Sequence, residues 1–352
     1  MQKGWFTGLW FLLLCLPAGI RAQDPAFTQL ATQVLQINPG FAGMFSGKMR
    51  VAMNMRQRAE GSNGQFMDRL AGVAIDTRFP AGKRDYWSFQ GLLATSRQGQ
   101  PIYDRQLVRV GGGLIKLLKM GRYGMESQYV SVAFQAGLDQ FAFRGGQWFS
   151  NQYDPFTGSV NLTLPTGEPI SMPPGSILVP DLSIGSVWYA TWDKGMGVYA
   201  GLSLHHVNRP AWRWFPTSAS RLDVRAAIVA GAEWPLGGFT QFLPFFLYTC
   251  QGMHQRFNAG LPLRFNPKEW DDKALRLGIW LQANQQPTGQ AWFAGEMAFQ
   301  AMLEMGKWQV GLAYTLPGKS LPGNSFSRNA FELNLTWTQP PNYRKKIACP
   351  RM

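Results

Sequence analysis

The sequence predicts an all-β membrane protein, a transmembrane antiparallel up-and-down β-barrel of about 14 strands preceded by a short N-terminal segment. Three observations carry this. Segments of about ten residues, the length a tilted strand needs to cross a bilayer, alternate apolar with polar or small residues along the chain. The connections between them alternate in length, except for the short Gly252–His254 and the long Phe265–Lys273, as they do in bacterial barrels whose two termini share one side. Past the first residues, no apolar run in the 352 residues is long enough for a membrane-spanning helix. An average hydropathy close to that of a soluble β-protein does not contradict the reading, because lipid-facing and lumen-facing residues cancel.

Residues 1–22 read as a signal peptide: Lys3 supplies the charge, Trp5 to Leu16 the apolar core, and Ala22 precedes a cleavage point before Gln23. Loss of Lys3 and Arg21 takes the formal charge from +14 to +12. The remaining basic residues are scattered over strands and turns. That suits a basic lumen and contacts to anionic lipid headgroups, and points away from nucleic acid. Without Cys15, only Cys250 and Cys349 remain. They make no metal signature, and a disulfide between them is allowed but not implied.

Residues 23–47 form the N-terminal periplasmic or plug segment. Ala26 to Ile37 reads as a short helix opened by Asp24-Pro25 and stopped by Asn38-Pro39. It plugs the barrel or lies against its rim. The barrel itself covers 48–339, with strands expected at about 48–56, 68–79, 86–96, 105–118, 126–139, 181–191, 196–205, 222–235, 240–251, 255–264, 274–284, 291–304, 307–316 and 329–339. The alternation names the faces. Met49, Val51, Met53 and Met55 oppose Arg50, Asn54 and Arg56; Leu275, Leu277, Ile279 and Leu281 oppose Arg276, Gly278, Trp280 and Gln282; Phe293, Met297, Phe299 and Leu303 oppose Glu296, Gln300 and Glu304. Charged residues at alternate positions require a polar lumen, not a dry core.

The clearest hairpin runs from Pro180 to Pro210. Trp192-Asp193-Lys194-Gly195 supplies the turn, with Gly195 free to take a positive φ. On the return arm Val198, Ala200, Leu202 and Leu204 face lipid, and Gly197, Tyr199, Gly201, Ser203 and His205 face the lumen. Trp188, Tyr189, Trp192, Trp212, Trp214 and Trp234 read as an aromatic girdle. The longest connection, Gln140–Pro180, reads as a lid, a constriction or a partner surface, or equally as a disordered exposed loop. Its Trp148, Phe149, Tyr153 and Phe156 are the candidate partner-binding anchors. A basic periplasmic tail, 340–352, closes the chain; together with Asp24–Gly43 it is the second candidate docking surface.

No catalytic set emerges. The three histidines are His205, His206 and His254. His205 and His206 should point to opposite faces and so not share a metal, and Ser203 beside His205 lacks an acid near it in sequence. Both pairs read as polar residues at the membrane rim. With no phosphate loop and no dinucleotide fingerprint, the chain is read as a non-enzyme without catalytic, metal or cofactor residues; a barrel-embedded hydrolase would need a cluster that the sequence does not present.

Two stretches carry a resemblance. Gln23-Asp24-Pro25-Ala26-Phe27-Thr28-Gln29 followed by Asn38-Pro39-Gly40-Phe41-Ala42-Gly43, and Pro180-Asp181 with Tyr199-Ala200-Gly201-Leu202-Ser203-Leu204-His205-His206, resemble the PorP/SprF family of outer-membrane proteins of the type IX secretion and gliding machinery of Bacteroidetes. Phe331-Glu332-Leu333-Asn334-Leu335 and Cys349-Pro350-Arg351 resemble the family's end. The resemblance implies an integral outer-membrane component of that secretion system that assists export or surface attachment of a partner protein. Its implied partners are other secretion or gliding components, with a large secreted adhesin and an OmpA-like peptidoglycan-binding protein as candidates. The alternative is a diffusion porin or small-molecule transporter.

Overall fold

The computed structural model describes residues 27–60, 66–82, 84–98, 102–120, 126–144, 150–154, 157–161, 163–164, 176–192, 195–215, 218–270, 272–285, 292–318, 329–340 and 349. Fourteen barrel strands run in sequence order: β1 Met49–Glu60, β2 Phe66–Pro80, β3 Tyr86–Gln98, β4 Ile102–Met120, β5 Ser127–Arg144, β6 Ser176–Thr191, β7 Gly197–His205, β8 Arg225–Pro235, β9 Thr240–Phe242 with Phe245–Gln251, β10 His254–Gly260 with Leu263–Phe265, β11 Lys273–Gln285, β12 Trp292–Met305, β13 Trp308–Pro317 and β14 Ala330–Thr338. Each pairs antiparallel with its neighbours, and β14 closes on β1 from Arg50 opposite Thr338 to Arg58 opposite Ala330. Closure gives every strand two partners, which matters where lipid offers the backbone no hydrogen bonds. No described helix is long and apolar enough to cross a membrane.

The alternation fixes the faces as expected. On β7, Tyr199, Gly201, Ser203 and His205 are buried while Ala200, Leu202 and Leu204 are exposed. Val110, Phe134, Leu202, Ile228 and Phe331 are all more than half exposed, on the outer wall where lipid covers them. Gly195 takes φ +76° in the β6–β7 turn.

Local chemistry explains the departures. Pro244 and Pro262 have no N–H to give the ladder, so β9 and β10 each come in two pieces instead of one continuous strand. Gly295 is an extra residue between the β11–β12 pairs Gln282–Glu296 and Ala283–Ala294. This bulge reverses the facing beyond it, so Phe293 is half-buried and does not share the lipid face of Met297 and Phe299. Strands β5 and β6 run past their expected ends and pair as far as Ala142 opposite Ser176, which leaves 145–175 as the connection. Pro180 therefore lies inside β6. It is tolerated because β7 has already ended there, at Leu204 opposite Ile184. The uncovered edge is satisfied by Asn208, whose side chain accepts from Leu182 N at 3.2 Å and donates to Pro180 O at 2.7 Å.

Residues 27–45 lie inside the barrel. They contain a 3-10 turn Leu30–Thr32, a helix Val34–Ile37 and a second 3-10 turn Pro39–Phe41. The expected single helix is thus reduced to one α-turn between two tighter ones. Val34, Leu35, Phe41 and Met44 pack on inward side chains of Leu92, Ile115, Val187, Tyr199 and Phe245. The ring of Phe41 meets Tyr199 edge-on at 5.7 Å. Tyr189 belongs to this interior, fully buried and stacked on Tyr129 at 5.2 Å, and not to an outer girdle; Trp188 and Trp234 are on the outside.

Candidate functional site

The plug is held around its whole circumference. At its start, the backbone N–H groups of Thr28 and Gln29 donate to the Glu332 carboxylate of β14 at 2.8 and 2.9 Å. Charge-assisted bonds of this kind are about twice as strong as neutral ones. The Gln29 side-chain Oε1 accepts from Gln300 Nε2 of β12 at 2.9 Å, and Gln33 donates to Asn54 of β1 at 3.0 Å. Further along, Gln135 of β5 donates to Leu35 O, Arg225 of β8 to Gln36 O, and Gln90 of β3 to Pro39 O, at 3.2, 2.9 and 3.1 Å. Gly43 N donates to Asp76 of β2 at 2.8 Å, and Arg78 returns a bond to Gly43 O at 2.9 Å.

The tightest contact is with the β6–β7 hairpin. Asn38 Nδ2 donates to Ser186 O at 3.0 Å and to Leu202 O at 3.1 Å, while its Oδ1 accepts from Gly40 N at 2.8 Å. Ser186 and Leu202 are paired across the hairpin, so one side chain bridges both arms. The approach requires bare backbone. A Cβ on Gly185 would stand 2.0 Å from Asn38 Oδ1, and one on Gly201 would stand 2.8 Å from Asn38 Nδ2. Ile37 O accepts from Ser203 Oγ at 2.8 Å and is 2.8 Å from His205 Nε2, which must therefore carry its proton there; Nδ1 is then free to accept from Ser183 Oγ at 3.1 Å. The two stretches that carried the family resemblance, around Asn38-Pro39 and around Gly201–His206, are in contact with each other.

Beside this seat lies a buried charge chain. His206 Nδ1 is 2.7 Å from Asp181 Oδ1, and Asp181 Oδ2 is 2.7 Å from Arg109. Arg109 is 3.4 Å from Asp139, which Arg105 reaches at 2.5 Å. Neither histidine is a rim residue, since both are fully buried. The expectation of opposite facing fails because His206 has left the strand in a left-handed conformation, φ +58°, which turns its ring inward. Ligand atoms of Asp139, Asp181 and His206 lie within 4.8 Å of one another. The arginines already bind both carboxylates, so the arrangement works as an ion-pair brace between β4, β5, β6 and the end of β7.

At the other end, where the short turns lie, a cavity of about 610 Å³ is bounded by Met44, Arg50, Arg276, Glu304, Lys307 and Cys349 among others. Cys349 is a free thiol, buried against Tyr189 and accepting from Arg78 at 3.4 Å. Of the C-terminal tail, this residue at least is inside the barrel mouth and not in open solvent. The stretch from Phe27 to Gly43 is likewise inside the barrel, with Ala31 and Thr32 among the residues that bound this cavity. Of the expected partner anchors, Tyr153 opens a small hairpin, Tyr153–Asp154 with Ser159–Val160, and is 41% exposed. Trp148, Phe149 and Phe156 fall outside the described residues.

Fold and site together define a membrane β-barrel stoppered by its own N-terminal segment. Residues 20–337 match the model of the PorP/SprF family, described as type IX secretion system membrane protein, and the chain belongs to that family. No curated protein matches. Among solved structures, the chain is similar in fold to the CymD monoaromatic hydrocarbon channel, with 10% identity and TM-score 0.50 over 92% of this chain and 96% of that one. It also resembles the Pseudomonas putida toluene transporter TodX, with 7% identity and TM-score 0.48 over 90% and 93%. BamA from Haemophilus ducreyi matches at 9% identity and TM-score 0.40, over 83% and 70%.

Proposed function

We propose that this protein is a self-plugged outer-membrane component of the type IX secretion system, with its termini on the periplasmic side, and that it assists export or surface attachment of a partner protein without catalysis. The plug carries the reading. Residues 27–45 are bonded to inward side chains from β1 to β14, and solute diffusion needs a water column where they sit. A protein-handling role needs surfaces instead, and the barrel offers them at its two ends. On the outer side the 145–175 connection, with Trp148, Phe149, Tyr153 and Phe156, is the proposed client surface. Aromatic anchors on a loop suit that task. On the periplasmic side the vestibule around Lys307 and Cys349 faces the other secretion components, among which an OmpA-like peptidoglycan-binding protein is the proposed neighbour and a large adhesin the proposed client.

The experiment is deletion of Trp148 to Phe156 in the native host. The barrel is expected to keep its heat-modifiable migration while one secreted protein disappears from the cell surface. If every secreted protein remains at the surface and only solute uptake changes, the secretion role falls and the transporter reading replaces it.

A further inference from the structure

A small cavity lies between the plug and the wall, on the long-loop side of the Asn38 seat. Ser96 of β3 and Arg105 and Arg109 of β4 line it, together with Arg225 of β8 and Gln36 of the plug. Ser96 and Arg105 are direct neighbours across the β3–β4 ladder. Its volume, about 10 Å³, is near the roughly 10–15 Å³ minimum that holds one water-sized particle. Two donors there are buried with no partner among the described residues: Ser96 Oγ, on a residue 3% exposed, and Arg109 Nε, on a residue 2% exposed. A buried donor left unmatched is costly, and its usual explanation is a bound water or ion.

We propose that this cavity binds one small monovalent anion of chloride size. Three guanidinium groups line it, and among the described residues no carboxylate does. Asp139 and Asp181 meet two of them through the terminal Nη2 nitrogens. A water is the competing occupant: the second lone pair of Gln36 O, whose first takes the Arg225 bond at 2.9 Å, can accept one of its hydrogens, but a water brings no charge to a site lined by three guanidiniums. An anion accepts from Ser96 Oγ–H and Arg109 Nε–H and gives nothing back, and it offsets the repulsion among the guanidiniums. Because Arg225 also holds Gln36, the anion ties plug to wall.

The test uses the full-length protein in detergent micelles. Thermal unfolding is followed at fixed ionic strength while sodium chloride replaces sodium gluconate, whose anion is too large for the cavity. The melting temperature should rise saturably with chloride, and Ser96→Ala should raise the half-saturating concentration about fivefold, the weight of one hydrogen bond. Crystals grown in bromide should give an anomalous peak beside Ser96 Oγ and Arg109 Nε. Equal melting in both salts, or a cavity that holds only water in bromide crystals, overturns the proposal. Should Ser96→Ala fail to assemble, the unmodified protein's titration and bromide map still decide it.

Discussion

Asn38 of the plug donates its side-chain amide to the backbone carbonyl of Ser186, in the middle of β6, at 3.0 Å. The same nitrogen reaches Leu202 O on β7 at 3.1 Å. Strand carbonyls already serve the ladder, so Asn38 takes up their second lone pairs and keys the plug to one hairpin.

Asn38→Ala should therefore loosen the plug. It removes three hydrogen bonds, at roughly 0.5–1.5 kcal/mol each, about 2–4 kcal/mol together. The barrel should still migrate as a folded species. Planar-bilayer recordings should show new conductance, and limited proteolysis should reach residues near 30. A variant as silent and as resistant as the parent would place the seat elsewhere.

Gly185→Ala should reproduce that phenotype from the wall side, since the new methyl would lie 2.0 Å from Asn38 Oδ1 and 2.8 Å from Pro39 Cδ. Ala200→Val on the exposed face of β7 adds more bulk and should leave conductance unchanged, because its side chain points to lipid. The same recordings compare the two.

Leu202→Arg and Ser203→Arg separate the two faces of β7. The Leu202 side chain is 55% exposed on the lipid wall, where an arginine near mid-bilayer costs about 2–4 kcal/mol of barrel stability. Read from sequence, Ser203→Arg is the milder change, an arginine in a watery lumen. The structure revises this. Ser203 is 4% exposed and its hydroxyl holds Ile37 O, so an arginine there has no room until the plug leaves. Heat-modifiable migration should fall for Leu202→Arg, while Ser203→Arg should assemble yet conduct. Silent, stable Ser203→Arg would contradict the plug's position.

Cys349 offers a topological test. A membrane-impermeant maleimide should not label it on intact cells if the two termini share the periplasmic side as proposed. Burial adds a second condition: after the outer membrane is permeabilised, labelling should still be slow. Arg78→Ala removes the guanidinium that donates to both Gly43 O and Cys349 Sγ, and should speed it several-fold. Rapid labelling of the unmodified protein at that stage would place the tail outside the barrel mouth.

The amino-acid sequence by itself determined the wall. A strand shows one face to lipid and one to the lumen at a period of two, so Leu202 beside Ser203, or Phe331 beside Glu332, already states its facing without any partner. Chain connectivity then dictated the order of strands, and Pro-Asp and Gly signals the turns. Even the departures from the expected strands have local causes, the missing N–H of Pro244 and Pro262 and the extra residue at Gly295. Only the tertiary structure decided what fills the lumen. Asn38-Pro39 has the local signature of a helix stop, and nothing within a few residues of it says that its amide will meet carbonyls at 186 and 202. Glu332, Gln135 and Gln300 read simply as lumen residues, and their plug partners lie 100 to 304 positions away. The one usable signal was the run of amides and carboxamides facing inward opposite a polar N-terminal segment. His206 turned inward through a backbone conformation that periodicity cannot register, and Cys349 entered the barrel mouth after the last strand had ended. Local patterning encodes which side of a surface a residue takes; which distant segment occupies that side is settled by packing and hydrogen bonding once the barrel has closed around it.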